Sequence, residues 1–292
     1  MDAICEPDPI HGVPFDAPWG RLGRDLTLAL VSIGSKFVLN VLNTTRFTNV
    51  ERIEKAATER PPGTGLLTVC NHTSTIDDPV VLSALLPWKF FYTESMHGGN
   101  RWSLCAKEIC YRNAFLGQFF LSGKTLPIER GQGLQQPAML TAARLLARGD
   151  WVHVFPEGRV GYSGRLQPCK WGVGKLVCDC VAASGRCPVV LPFYHSGMGR
   201  VMPEHGRIPR VGRQVDITVG EPMDVSDLAC RCGQPGVDQK QVWKDITERI
   251  CHGLQELEET SPPNANQLKE KNVSQGSIEA DLKKRDPVLP ER

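Results

Sequence analysis

Leu66-Leu67-Thr68-Val69-Cys70-Asn71-His72-Thr73-Ser74-Thr75-Ile76-Asp77-Asp78-Pro79 holds the change of pattern on which the fold turns. Its first five residues are an apolar, partly β-branched run that follows the breaker Arg60-Pro61-Pro62-Gly63, so they read as a buried strand. Polar residues then interrupt the run, and a helix is expected to begin near Pro79. A buried strand leading through a loop into a helix is the building unit of an α/β domain. Working outward, further strands are expected at 151–155, 188–193 and 215–219, with helices over 137–148 and 172–183 between them. A last amphipathic helix puts Val242, Trp243, Ile246, Ile250, Leu254 and Leu257 on one stripe. The expected fold is a single α/β domain over 46–258, its central sheet mostly parallel or mixed and flanked by helices.

The flanks read differently. Residues 21–45 repeat Leu26, Leu30, Ile33, Phe37 and Val41 at three- or four-residue steps, flanked by Arg21, Arg24 and Lys36, the pattern of an interfacial amphipathic helix. A helix packed on the body of the domain fits the same periodicity. The apolar stretch 26–42 is interrupted by Ser32, Gly34, Ser35, Lys36 and Asn40 and falls short of the roughly 20 residues of a membrane span. Residues 1–20 are acidic and read as a flexible segment without the basic start of a cleaved address, and 259–292 read as a disordered polar tail.

Length and composition narrow the function classes. At about 150 residues per domain, 292 residues allow two small domains or one large one with tails. With 41% hydrophobic and 23% charged residues the chain is globular, neither collagen-like nor a coiled coil. A net charge of +2 is too small for the basic face of a duplex-binding protein, so nucleic acid is not an expected partner. Eleven cysteines without framework spacing read as reduced thiols.

The loop after the first strand sets His72 five residues before Asp77. On a continuous helix these would stand about 140° apart, so the segment must turn for them to meet. If Asp78 caps the following helix with Pro79 in its first position, Asp77 can fold back onto the imidazole. The carboxylate would then fix the tautomer, leaving the other ring nitrogen to take a proton from a hydroxyl. A loop histidine beside two capping aspartates is the alternative, and the spacing leaves both open. Phe155-Pro156-Glu157-Gly158-Arg159 places a second carboxylate and a phosphate-suited guanidinium after another strand, though such a segment also makes an ordinary turn. The Gly-bounded turn 123–131 adds Lys124 and Arg130.

Other patterns fail on spacing. Gly123-Lys124-Thr125 is separated from Gly117 by five residues instead of the four of a P-loop, and Arg165 stands where the elbow around Ser163 requires glycine. Cys178/Cys180 and Cys230/Cys232 are too close for zinc pairs and read as small buried residues. His195 follows a strand and reads as a packed histidine.

Four stretches in order, His72-x4-Asp77, 123–130, 155–159 and Val190-Leu191-Pro192, resemble the glycerophospholipid acyltransferase superfamily, in particular its tafazzin and plant tafazzin-like branch. Lys170-Trp171-Gly172-Val173-Gly174-Lys175-Leu176 adds to the likeness, which runs over about 22–257. The resemblance implies acyl transfer to a lysophospholipid hydroxyl, with His72 as general base and Asp77 orienting it. It implies that Arg130, Glu157, Gly158 and Arg159 bind the glycerophosphate head, that Pro192 shapes the sheet end, and that neither metal nor nucleotide cofactor is required, acyl-CoA being an admissible co-substrate. Its partners would be phospholipids, lysophospholipids and a membrane surface, on a mitochondrial, plasma or other intracellular membrane. The surface would be met by 26–42, by Trp88, Phe90, Phe91, Tyr92, Phe115, Phe119 and Phe120, or by Arg200, Arg207, Arg210 and Arg213. N-acylation of phosphatidylethanolamine and a non-catalytic lipid-binding role are the rival readings. Oligomeric state is not legible.

Overall fold

The computed structural model describes residues 17–87, 90 and 99–261, so the expected segments 1–16 and 262–292, and Trp88, Phe91 and Tyr92, lie outside the described residues. In order, the chain forms α1 (Gly20–Lys36), a π-helical turn (Phe37–Val41), β1 (Thr44–Thr48), α2 (Glu51–Thr58), β2 (Leu66–Cys70), α3 (Asp77–Leu85), β3 (Ser103–Ala106), α4 (Lys107–Cys110), α5 (Ala114–Ser122) and β4 (Thr125–Ile128). It continues with α6 (Pro137–Ala147), β5 (Trp151–Val154), α7 (Gly172–Ser184), β6 (Val189–Ser196), α8 (Met198–Val201), β7 (Gln214–Val219), α9 (Ser226–Ala229) and α10 (Gln239–Thr260).

Five strands make one mixed sheet in the order β1-β7-β6-β2-β5, with only the β6–β7 pair antiparallel. The parallel pair β3–β4 joins the β5 edge through Trp102, whose N–H donates to Trp151 O and whose carbonyl accepts from His153 N–H. Alternate residues of β2 enter opposite layers. Leu67 and Val69 pack with α6, α7 and α10, whereas Leu66 and Cys70 pack with α2, α3 and α8. The result is a helix–sheet–helix sandwich, as the strand and helix alternation implied.

Three readings need correction. The helix expected over 21–45 ends at Lys36, and after the π-helical turn the chain pairs as β1 with β7; the Thr-rich Thr44–Thr48 suits an edge strand but has no alternating apolar pattern to betray it. The segment 123–131 is more than a turn, since β4 starts at Thr125. Nor are all the cysteines thiols: Cys105–Cys110 and Cys178–Cys232 are disulfides, the second joining α7 to the α9–α10 connection across 54 residues.

The first helix packs on the domain by its more polar side. Its buried side is Thr27, Leu28, Ser32, Ser35 and Lys36, packed on α3, with Lys36 Nζ donating to Leu86 O at 2.5 Å. Burial lowers the Lys36 ammonium to about 8. The apolar stripe faces away: Leu26, Leu30, Ile33, Phe37 and Val41 are all exposed, Leu30 at 70%. No described helix is long and apolar enough to cross a membrane.

Candidate active site

Strands β2, β5 and β6 run parallel, so their C-terminal ends share one edge of the sheet, where α/β domains gather ligands. His72 follows β2, Glu157 follows β5, and His195 lies near the end of β6. The loop 71–76 turns sharply enough for the Asp77 side chain to reach back over it. Asp77 Oδ2 accepts the Thr73 and Ser74 N–H groups at 2.7 and 2.8 Å and lies 3.0 Å from His72 Nδ1. Three donors on one oxygen make this carboxylate the organising centre of the loop.

Asp77 is 1% exposed, and burial alone would raise its pKa. The neighbouring His195 and His72 overcome that and hold the carboxyl well below its usual range. With Asp77 ionised, His72 donates its Nδ1–H and keeps Nε2 as the proton acceptor. The imidazole is held at Nδ1 and on one face. Phe155 stacks on the ring at 3.9 Å between centroids, and it meets the buried His153 edge-on. His153 is held by Thr68 at 2.9 Å and pushed by burial down to about 3, so it is a neutral packing group.

Glu157, expected at the ligand, turns inward. Its Oε1 accepts His72 N–H at 2.6 Å and its Oε2 accepts Gln167 N–H at 2.9 Å, while Gly161 N–H donates to His72 O at 2.7 Å. The loop after β5 therefore holds the backbone of His72 on both sides. Burial raises the Glu157 carboxyl to about 7. A raised folded pKa means the protonated form is favoured in the native state, so this group's stabilisation is complete below about 4.5 and is lost as pH rises through about 7. Glu157→Gln should abolish that pH dependence and set an amide N–H₂ against a backbone N–H, costing about 1–3 kcal/mol. Urea unfolding across pH 5–8 tests both; an unchanged midpoint slope against pH would count against the assignment.

Asp78 is not the helix cap. The helix begins at Asp77, with Pro79 in its third position, and Asp78 instead takes a bidentate pair from Arg101 at 3.1 and 2.6 Å plus Ser103 Oγ at 3.1 Å. It ties α3 to the entry of β3. Arg130 pairs with Glu108 at 3.1 Å on the surface, and Arg159 is exposed on the Glu157 loop with no ion-pair partner among the described residues. Gly158 sits at φ 65, a conformation that favours glycine. Pro192 lies inside β6, opposite Val69 and packed against Gly220, at the point where pairing with β7 stops.

Two residues matter more than their sequence context suggested. His195 is fully buried, with Nε2 3.4 Å from Asp77 Oδ2, the same oxygen that accepts the loop amides. Asn71 spans from β2 to β6 by donating to His195 O and accepting His195 N–H, both at 2.9 Å. It continues the ladder beyond the last paired residues and fixes His195 behind Asp77. Cys70 offers no nucleophile, because burial and the Asp77 charge push its thiol up.

A cleft of about 290 Å³ opens beside the loop, lined by Thr73, Tyr162, His195, Ser196, Arg200 and Glu204 among others. Such a histidine–carboxylate pair, lacking its own nucleophile and next to a cleft, can activate a hydroxyl supplied by a substrate.

The acyltransferase family profile matches residues 45–196. The chain is 35% identical to the tafazzin of Drosophila melanogaster, over 79% of this chain and 59% of that protein, so it spans less than two thirds of that relative. It is 36% identical to an N-acylphosphatidylethanolamine synthase of Arabidopsis thaliana, over 70% of this chain and 72% of that one. The crystal structure of a 1-acyl-sn-glycerophosphate acyltransferase, PlsC, from Thermotoga maritima shares the fold, with a TM-score of 0.51 at 18% identity over 80% of this chain and 81% of that chain.

Proposed function

Because this chain belongs to the acyltransferase family, we propose that it transfers a fatty acyl chain to the hydroxyl of a lysophospholipid. The observation that carries the reading is the 3.0 Å contact between His72 Nδ1 and a fully buried, ionised Asp77, which leaves Nε2 as the base. In the proposed reaction the acceptor O–H gives its proton to Nε2 as its oxygen bonds to the acyl carbonyl carbon. Asp77 stabilises the imidazolium that results. Collapse of the tetrahedral adduct breaks the bond to the donor's sulfur or oxygen, and the imidazolium returns the proton to that leaving group. Only an acyl donor, acyl-CoA or an intact phospholipid, is needed as co-substrate. Arg159 is the guanidinium assigned to the acceptor phosphate, with Glu157 and Gly158 shaping the loop that carries it. Arg130 joins it only if the Glu108 pair opens.

Incubating the protein in liposomes with labelled lysophospholipid and either donor tests the reading, and release of free coenzyme A identifies the donor. The Arabidopsis relative supports a second reading, in which the amine of phosphatidylethanolamine is acylated. Mild alkaline methanolysis separates the two, because an amide product survives it and an ester does not.

Access to such substrates requires a lipid surface, and we assign it to the exposed stripe of α1. Trp19 and Phe115 extend it at one end, with ring centroids 5.9 Å apart. At the other end Gly212 N–H donates to Leu42 O, bringing the exposed Ile208 and Val211 alongside. The paired change Leu30→Asp and Ile33→Asp should leave thermal stability unaltered, since both residues are exposed. At about 1.5–3 kcal/mol per inserted side chain, vesicle affinity should fall roughly 100-fold or more. Flotation with liposomes reads this directly, and undiminished flotation would sink the assignment.

A further inference from the structure

Two cysteines outside the disulfides meet where the loop after β5 rejoins the domain. Cys251, on α10, accepts hydrogen bonds at its sulfur from both the S–H and the backbone N–H of Cys169. A second contact lies beside this one. Glu258, about two turns along α10 from Cys251 and so on the same stripe, accepts Leu166 N–H at 3.1 Å on its Oε1. The limb 166–169 therefore runs along one face of α10, met at both ends by side chains of that helix. The same limb is half of the loop that holds His72. Gln167 N–H donates to Glu157 Oε2 at 2.9 Å and Lys170 N–H donates to Pro156 O at 2.8 Å. The Lys170 chain covers Gly158, where a Cβ would stand 3.0 Å from its Cδ. Glu157 is near enough for its carboxylate to act on the Cys169 thiol, and it accepts the His72 N–H. A change at Cys169 is thus passed to the backbone of His72 through one carboxylate.

We propose that Cys169 and Cys251 are a thiol-oxidation site, forming a reversible disulfide that staples the loop 155–170 to α10 and tightens its hold on the His72 backbone. Both residues are half-buried, open enough for a small disulfide to reach. Bringing hydrogen-bonded sulfurs to a bond of about 2.05 Å asks only a short closing movement between a loop and a helix. The co-reactant is a low-molecular-weight disulfide such as oxidised glutathione. Hydrogen bonding from Cys169 lowers the Cys251 thiol to about 7, so Cys251 is the attacking thiolate, whereas the same bond raises Cys169. The Cys251 sulfur bonds to one glutathione sulfur, the glutathione disulfide breaks, and one glutathione thiolate leaves and takes up a proton. Cys169 then gives up its proton as its sulfur displaces the second glutathione from Cys251. The protein dithiol loses the electron pair that the glutathione disulfide gains.

The full chain is incubated in glutathione buffers of increasing oxidised fraction, alkylated and read by peptide mass spectrometry. A Cys169–Cys251 cross-link should appear, and reduced glutathione should reverse it. Limited trypsin digestion reports on the loop, since Arg159 and Arg165 are exposed on it. Cleavage after either should slow roughly tenfold in the cross-linked protein, because a covalent tie suppresses local opening. Cys169→Ser should stop at a Cys251–glutathione adduct and keep the parental cleavage rate under oxidation, with a thermal melt to show that the variant folds. Alkylation of both thiols in a buffer that fully modifies the exposed Cys230 overturns the proposal. So does a cross-link that leaves cleavage after Arg159 and Arg165 unchanged. None of these readouts needs turnover, so the outcome is independent of acyl transfer.

Discussion

If His72 is the general base of the proposed acyl transfer, His72→Gln should lower kcat by roughly 10²–10⁴-fold, the usual contribution of a positioned general base. Glutamine has no titratable nitrogen, so it cannot take the acceptor proton. The loss should fall on kcat, with KM for lysophospholipid nearly unchanged, because the ring is assigned to the proton and not to the head group. The fold should survive. The loop is organised by Asp77 accepting the Thr73 and Ser74 N–H groups and by the Glu157 and Gly161 bonds to the His72 backbone, none of which uses the imidazole. Vesicle flotation and a thermal melt provide the controls. Turnover within tenfold of the parental protein would remove His72 from the chemistry.

The second large effect is at Asp77, where two substitutions separate charge from architecture. Asp77→Asn can place its carbonyl oxygen where Oδ2 now stands and keep accepting from Thr73, Ser74 and His72. What it loses is the negative charge facing His72 and His195. kcat should fall roughly 10²–10³-fold, consistent with losing a charge-assisted bond of about 3–4 kcal/mol in a buried site. Asp77→Ala also orphans the loop amides and should be markedly less stable. Acid titration of the parental protein gives a third check. The Asp77 carboxyl is held below its ordinary value of 3.8, so its stabilisation is complete above that pH and is lost as pH falls further. Asp77→Asn should lose this part of acid sensitivity. If Asp77→Asn keeps parental turnover while Asp77→Ala loses stability, the carboxylate serves structure only.

These effects depend on contacts that sequence spacing showed unevenly. The His72–Asp77 meeting was legible as an option, since a strand followed by a loop and a helix lets a carboxylate five residues on fold back. The same reasoning put Asp78 at the helix cap, and it failed there because the partner is Arg101, 23 residues later, whose bidentate grip is a stronger arrangement than a cap. Glu157 was legible as a special carboxylate but its direction was not. It points to the backbone of a residue 85 positions away, which only the β2–β5 pairing makes a neighbour. His195 read as a packed histidine, and it is packed, but behind Asp77.

What the sequence by itself determined is the set of elements around the parallel strands and the loop that carries the histidine and carboxylate. Periodicity and turn chemistry are local, because side-chain direction repeats every 2 residues in a strand and every 3.6 in a helix. What only the tertiary structure decided is direction and partnership: that α1 turns its Leu26–Val41 stripe away from the body, that Cys178 finds Cys232, and that two histidines from distant segments meet one buried carboxylate. Amphipathic periodicity says that a helix has an apolar face but not what that face meets. Burial of a charge is tolerated only where donors from distant segments converge on it, and convergence is a property of the assembled sheet.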